Sequence, residues 1–142
     1  MAWLEEIVEE EPPEPEEPIG IVVTGNLDPD MHVGAKELVR RALKVAGFKT
    51  IDLGGAVPAE DFVKKAKEVD ADAIVVSINT YSAKDEIPSL VSALEAGGIK
   101  DKIIVLMGGA AVKQVDADEI GALYGRSKEQ AVEIMKEAIK KK

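Results

Sequence analysis

The stretch Ile19-Gly20-Ile21-Val22-Val23-Thr24-Gly25-Asn26-Leu27-Asp28-Pro29-Asp30-Met31-His32 decides the fold. Ile19–Thr24 is an apolar run of strand length with no polar alternation. Such a run marks a strand buried on both faces, the condition of a parallel sheet covered by helices. A polar loop follows, holding the only histidine of the chain. Beyond it, Gly34–Ala46 has helical spacing, with Leu38, Val39, Ala42, Leu43 and Ala46 on one face and Gly47 placed to end it.

The same unit recurs down the chain. Lys49–Leu53 reads as a short strand ending at Gly54-Gly55, and Pro58–Val69 as a helix with Phe62, Val63 and Ala66 inward. Ala73–Ile78 is a second buried strand, and Asp85–Ala96 a helix presenting Ile87, Leu90, Val91 and Leu94. Lys102–Met107 is a third buried strand running into Gly108-Gly109. Val115–Ile120 is a short helix, Ala122–Tyr124 a fifth strand, and Ser127 caps a last helix that runs to about Lys140. Five alternations predict an α/β, flavodoxin-like (Rossmann-like) fold. It has a five-stranded parallel sheet of order 2-1-3-4-5, helices on both faces, and a ligand cleft at the carboxyl ends of the strands.

A length of 142 residues suits one folded domain, residues 19–142, behind a tail, residues 1–18. The tail holds eight of the 27 acidic residues and no Lys or Arg, leaving 19 acidic against 18 basic in the body. It divides into a short amphipathic piece carrying Trp3, Leu4, Ile7 and Val8 and a proline-rich, self-repelling linker over 11–18 that should be extended. A nearly neutral body argues against nucleic acid. With no cysteine, thiolate metal sites and thiol nucleophiles are excluded. Neither a signal peptide nor a run long enough to span a bilayer is visible, so a cytoplasmic protein without membrane contact is expected.

The loops 25–33, 79–84, 108–114 and 125–127 would line the cleft. The first of them contains Asp28 and Asp30, which would repel an anion, and no glycine-rich phosphate motif is present. A phospho-receiver would need an aspartate and a lysine where Ser77-Ile78-Asn79 and Tyr124-Gly125 stand. Zinc wants several protein ligands, and there is one histidine. A single protein ligand suffices where the metal brings the rest of its coordination sphere, as in a tetrapyrrole-like macrocycle.

At these residues the chain resembles a known family. Asp30-x-His32 after the first strand, Ser77-Ile78-Asn79 after the third and Gly108-Gly109 after the fourth resemble the DxHxxG, Ser-x-Leu and Gly-Gly marks of the cobalamin-binding domain. The likeness covers about residues 19–140. Two positions depart from the pattern: Ala35 stands at the motif's glycine, with Gly34 one place earlier, and Asn79 stands at its leucine. The resemblance implies that cobalamin binds with its own base displaced, His32 taking the lower axial position on cobalt. Asp30 would fix the tautomer of the imidazole. The nucleotide tail would enter a slot between the first and third strands, Ser77 would meet its base, and Gly108-Gly109 would leave it room. The full set implied as cofactor-binding is Asp30, Met31, His32, Val33, Gly34, Ser77, Asn79, Thr80, Gly108, Gly109, Tyr124, Gly125 and Ser127, with His32 as metal ligand.

Val57–Asn79 and Leu90–Val112 look most like the small cobalamin subunits of aminomutases and of glutamate mutase. The expectation is therefore the cobalamin-binding subunit of an adenosylcobalamin-dependent mutase, an isomerase part that is inert alone. Its partner would be a catalytic barrel subunit, docked through Trp3 and Leu4. Adenosylcobalamin is expected over methylcobalamin. The alternatives are a corrinoid methyl carrier of a methyltransferase system and a non-catalytic cobalamin module. The mutase is preferred to the carrier because 18 residues ahead of the domain are too few for the helical bundle such carriers usually have.

Overall fold

A computed structural model describes residues 11–142. Five parallel strands, β1 (Ile21–Asn26), β2 (Lys49–Asp52), β3 (Ala73–Ser77), β4 (Ile104–Gly108) and β5 (Leu123–Tyr124), lie in the order β2-β1-β3-β4-β5. The helices are α1 (Val33–Val45), α2 (Ala59–Glu68), α3 (Tyr81–Lys84), α4 (Ile87–Ala96), α5 (Gln114–Ile120) and α6 (Lys128–Lys140). The expected flavodoxin-like sheet and its strand order are therefore present.

Strand alternation sorts the core into two faces. Val22, Ala73, Val75 and Leu106 point to one side and pack with Leu43, Phe48, Ala131 and Met135 beneath α1 and α6. Val23, Ile74, Val76 and Met107 point to the other and pack with Phe62, Val63, Leu90 and Leu94 of α2 and α4. Because both faces are covered, the central strands need apolar residues at every position, and this is why their runs do not alternate.

The structure departs from the sequence expectation at β1, at the helix expected over Asp85–Ala96 and at Leu38. β1 begins and ends two residues later than expected, because Gly25 and Asn26 pair with Val76 and Ser77 of β3 while Ile19 lies exposed ahead of the ladder. The single helix expected over Asp85–Ala96 is preceded by a separate turn of helix, α3. Thr80 Oγ1 accepts a hydrogen bond from Ala83 N at 3.2 Å to cap α3, and Pro88 in the first turn of α4 keeps the two apart. Leu38, expected to face inward, is 55% exposed, for a reason that belongs to the site.

The tail segment 11–18 has no helix or strand, but it is not held off the body by its own charge. Lys36, Arg40 and Lys44 form a nearly buried basic stripe along α1. Glu11 accepts two hydrogen bonds from Arg40, at 2.8 and 2.6 Å, and one from Lys44 at 2.8 Å. These hydrogen bonds from Arg40 and Lys44 hold the Glu11 carboxyl at about 2, below the usual carboxylate range. Glu14 pairs with Lys44 at 3.2 Å. The expected amphipathic piece and its anchors Trp3 and Leu4 lie outside the described residues.

Candidate functional site

The site is built where β1 and β3 end side by side, Asn26 beside Ser77 in the ladder. The chain turns after Leu27 and returns as Asp30-Met31-His32 into α1, with His32 at the N-cap position. Asp30 is fully buried, and both of its oxygens are engaged. Oδ1 accepts from His32 N at 2.9 Å and lies 2.9 Å from His32 Nδ1. Oδ2 accepts from Asn26 Nδ2 at 3.1 Å, Asn79 N at 2.8 Å and Asn79 Nδ2 at 2.9 Å. Burial favours the neutral acid, but hydrogen bonds from His32, Asn26 and Asn79 outweigh it and hold Asp30 at about 2, well below an ordinary carboxyl.

An ionised Asp30 accepts only, so the proton of the neutral imidazole belongs on Nδ1. Nε2 then keeps its lone pair, on a side chain that is 72% exposed. The ring is thus fixed at one nitrogen and open at the other, the condition of a metal-ligating histidine with its outer-shell partner in place. Asn26 also donates to His32 O at 3.0 Å, so the same amide holds the backbone of the turn.

Beside this pair lies a cleft of about 600 Å³, within the range of small-molecule sites. Val75, Ser77, Leu106 and Gly108 contribute to it from β3 and β4, Ala35, Leu38 and Val39 from α1, and Glu129 and Ala131 from α6. This corrects the expected slot between the first and third strands. The opening lies between α1 and α6 over β3 and β4. The physical reason is side-chain volume. Leu43, Phe48 and Met135 fill the space between the helices and the sheet. At the carboxyl end the facing residues Ala35, Ala131, Gly108 and Gly125 are too small to do so. Leu38 is exposed because it faces this cleft rather than the core.

The two glycines serve close approach. Gly108 is the last residue of β4, and a Cβ there would sit 2.7 Å from Gly125 O. Gly109 has φ +122°, and its Cβ would meet Ile78 O at 2.2 Å. No side chain fits at either place without moving backbone. Thus β4, the β5–α6 turn and the end of β3 are drawn together around the cleft.

The other expected residues distribute unevenly. Ser77 is nearly buried and lines the cleft, with Oγ 3.1 Å from Asn79 Nδ2 and its own proton still free to donate. Asn79, Gly108, Gly109, Tyr124, Gly125 and Ser127 also line it. Ser127 Oγ accepts from Gln130 N at 3.1 Å and caps α6, so its place on the rim comes with a capping role. Met31 and Val33 are exposed and lean over Gly55 in the β2–α2 connection. Thr80 caps α3 and is not among the cleft residues. Gly34 has open space about its Cα, and Ala35, at the motif's glycine position, lies exposed at the cleft with only a methyl to offer. Asn26 falls in a loop expected to line the cleft but without a named role, and Leu38, Val39 and Ala131 are walls that local spacing does not reveal. Asn26 sits at the end of a strand, and only its parity with Val22 and Thr24 marks the α1 face.

Among the described residues no helix is long and apolar enough to cross a membrane.

A family model described as B12 binding domain matches residues 20–135. The dimethylamine corrinoid protein of Methanosarcina barkeri is 37% identical over 122 residues, 85% of this chain and 57% of that protein. Trimethylamine corrinoid protein 1 of Methanosarcina acetivorans is 42% identical over 111 residues, 77% of this chain and 51% of that protein. The solved structure of the Methanosarcina barkeri monomethylamine corrinoid protein superposes with a TM-score of 0.80 at 25% identity, over 84% of this chain and 58% of that one. The chain thus spans little more than half the length of these relatives. They are named for methylamines and not for mutases, which overturns the expected mutase subunit and its barrel partner. The mutase expectation rests on the likeness of Val57–Asn79 and Leu90–Val112 to mutase subunits and on the short stretch ahead of the domain. These relatives extend well beyond the matched domain, so that stretch carries no information about function. The preference for adenosylcobalamin depended on the mutase and falls with it.

Proposed function

The chain belongs to the B12-binding domain family, and we propose that it is the corrinoid-carrying part of a methyltransferase system, taking a methyl group from a small methylated amine. The observation that supports this most is the His32 imidazole, with Nδ1 held by Asp30 and Nε2 bare, beside a cleft walled by small and apolar residues. When bound, a corrinoid supplies methyl-transfer chemistry at cobalt.

The residues present fit that group. His32 would hold the cobalt through Nε2, while Asp30 would keep the other ring proton in place and raise the basicity of the ring. The cleft between α1 and α6 would receive the nucleotide tail, and Val39, Val75 and Leu106 would exclude water along it. The Ser77 hydroxyl, buried at the cleft wall, would be free to donate to the tail's base. The relatives are named as methylamine corrinoid proteins, which supports as partners a methyltransferase that loads the methyl group and one that removes it.

The test is reconstitution with hydroxocobalamin, followed by reduction and addition of a methylamine:corrinoid methyltransferase with its amine. Methylation should be visible as a change in the corrinoid absorbance. In His32→Ala, corrinoid affinity should fall at least tenfold with the fold intact. Protein that binds no corrinoid, or binds it equally well without His32, refutes the reading.

A further inference from the structure

We propose that Asn79 is a positioning residue that couples the wall of the cleft to the Asp30–His32 pair, an inference that rests on the corrinoid-carrier reading. Its side chain bridges two loops that are far apart in sequence. Oδ1 accepts from Ala110 N at 3.0 Å, and Ala110 lines the cleft directly after Gly108-Gly109. Nδ2 donates to Asp30 Oδ2 at 2.9 Å, and the backbone N of the same residue donates there at 2.8 Å. The link between the cleft wall and the buried carboxylate is therefore one planar amide. A planar amide cannot lengthen. If the β4–α5 loop moves outward, either the bond to Ala110 breaks or Nδ2 is drawn from Asp30.

Asp30 in turn accepts from His32 Nδ1, so its placement sets the direction of the imidazole. The shape of the cleft wall and the aim of His32 Nε2 are thereby connected through Asn79. Leucine, which the resembled motif has at this place, could make neither bond. The polar atoms of Asn79 are committed to Asp30, Ser77 and Ala110, so its role is to position rather than to touch the tail.

The experiment uses the full chain and two variants, Asn79→Leu and the isosteric Asn79→Asp. The Asp variant keeps an acceptor for Ala110 but replaces the amide donor by a second carboxyl, which competes with Asp30 for one proton. In apo protein labelled with nitrogen-15 histidine, the ring shifts of the only histidine report its tautomer directly. Wild type should show the Nδ1–H form in the neutral ring, and both variants a mixture. Corrinoid affinity is then measured with cobinamide, which lacks the nucleotide tail, and with intact cobalamin. Asn79→Leu should weaken cobinamide roughly tenfold beside His32 and less than twofold in a His32→Ala background, the non-additivity expected of residues acting in series. An equal loss in both backgrounds, or an unchanged tautomer, overturns the proposal. So does a loss confined to intact cobalamin, which would make Asn79 a tail contact. Protein that binds neither corrinoid refutes the carrier reading, and the tautomer measurement then decides the positioning role by itself.

Discussion

Replacing Asp30 by Asn should be among the most damaging isosteric changes available to this chain. The carboxylate is fully buried and accepts from five donor groups: two on His32, one on Asn26 and two on Asn79. An amide supplies one acceptor and one donor group. With its oxygen toward His32, its NH2 faces Asn26 Nδ2, Asn79 N and Asn79 Nδ2. Turned over, it faces the backbone N of His32. The two asparagine side chains can rotate away, but a backbone N–H cannot. At least one buried donor is therefore left unpaired, at about 1–3 kcal/mol, and the charge-assisted bonds to the others are lost. A loss of roughly 3–4 kcal/mol at neutral pH is expected.

The pH dependence gives this prediction a second handle. The folded-state carboxyl is held at about 2, below the unfolded value. Its stabilisation of roughly 2 kcal/mol is present above the unfolded value near 4 and is lost as pH falls through the folded one. The gap between wild type and Asp30→Asn should thus be constant from pH 7 to about 5 and narrow below pH 4. Urea unfolding of the apo protein across that range, followed by circular dichroism, measures it. A gap under about 0.5 kcal/mol at pH 7, or one unchanged down to pH 3, would refute the assignment of Asp30 as a buried, fully bonded carboxylate.

Gly109→Ala should cost more than about 3 kcal/mol in the same assay, since it combines a positive φ with a Cβ on top of Ile78 O; a loss below 1 kcal/mol would show that the β4–α5 loop can relax. Ala35→Trp changes an exposed position at the cleft and should leave stability within about 0.5 kcal/mol. The same variant should weaken intact cobalamin at least tenfold and spare cobinamide; equal effects on both would place the tail elsewhere.

Much of the fold was legible because its causes are local. A strand covered on both faces must be apolar throughout, so β1, β3 and β4 announce themselves, and Gly or Pro punctuates the rest. The Asp30–His32 pair was legible too, since two residues of loop bring a carboxylate to its own histidine. The split between α3 and α4 comes from the Thr80 cap and Pro88, local signals that interrupt apolar spacing which by itself runs on as one helix.

What the sequence by itself determined is the sheet, its order, and the identity of the histidine and acid at its edge, all set by burial period and by contacts a few residues apart. Only the tertiary structure decided where the cleft opens and how the acid is held. Asn79 reaches Asp30 across 49 residues and Ala110 across 31, and Ala131 meets Gly125 and Gly108 around one opening. Such a cleft is a difference between volumes brought together from distant segments. No single segment holds that sum, and it exists only once the two helices have packed on the same face of the sheet.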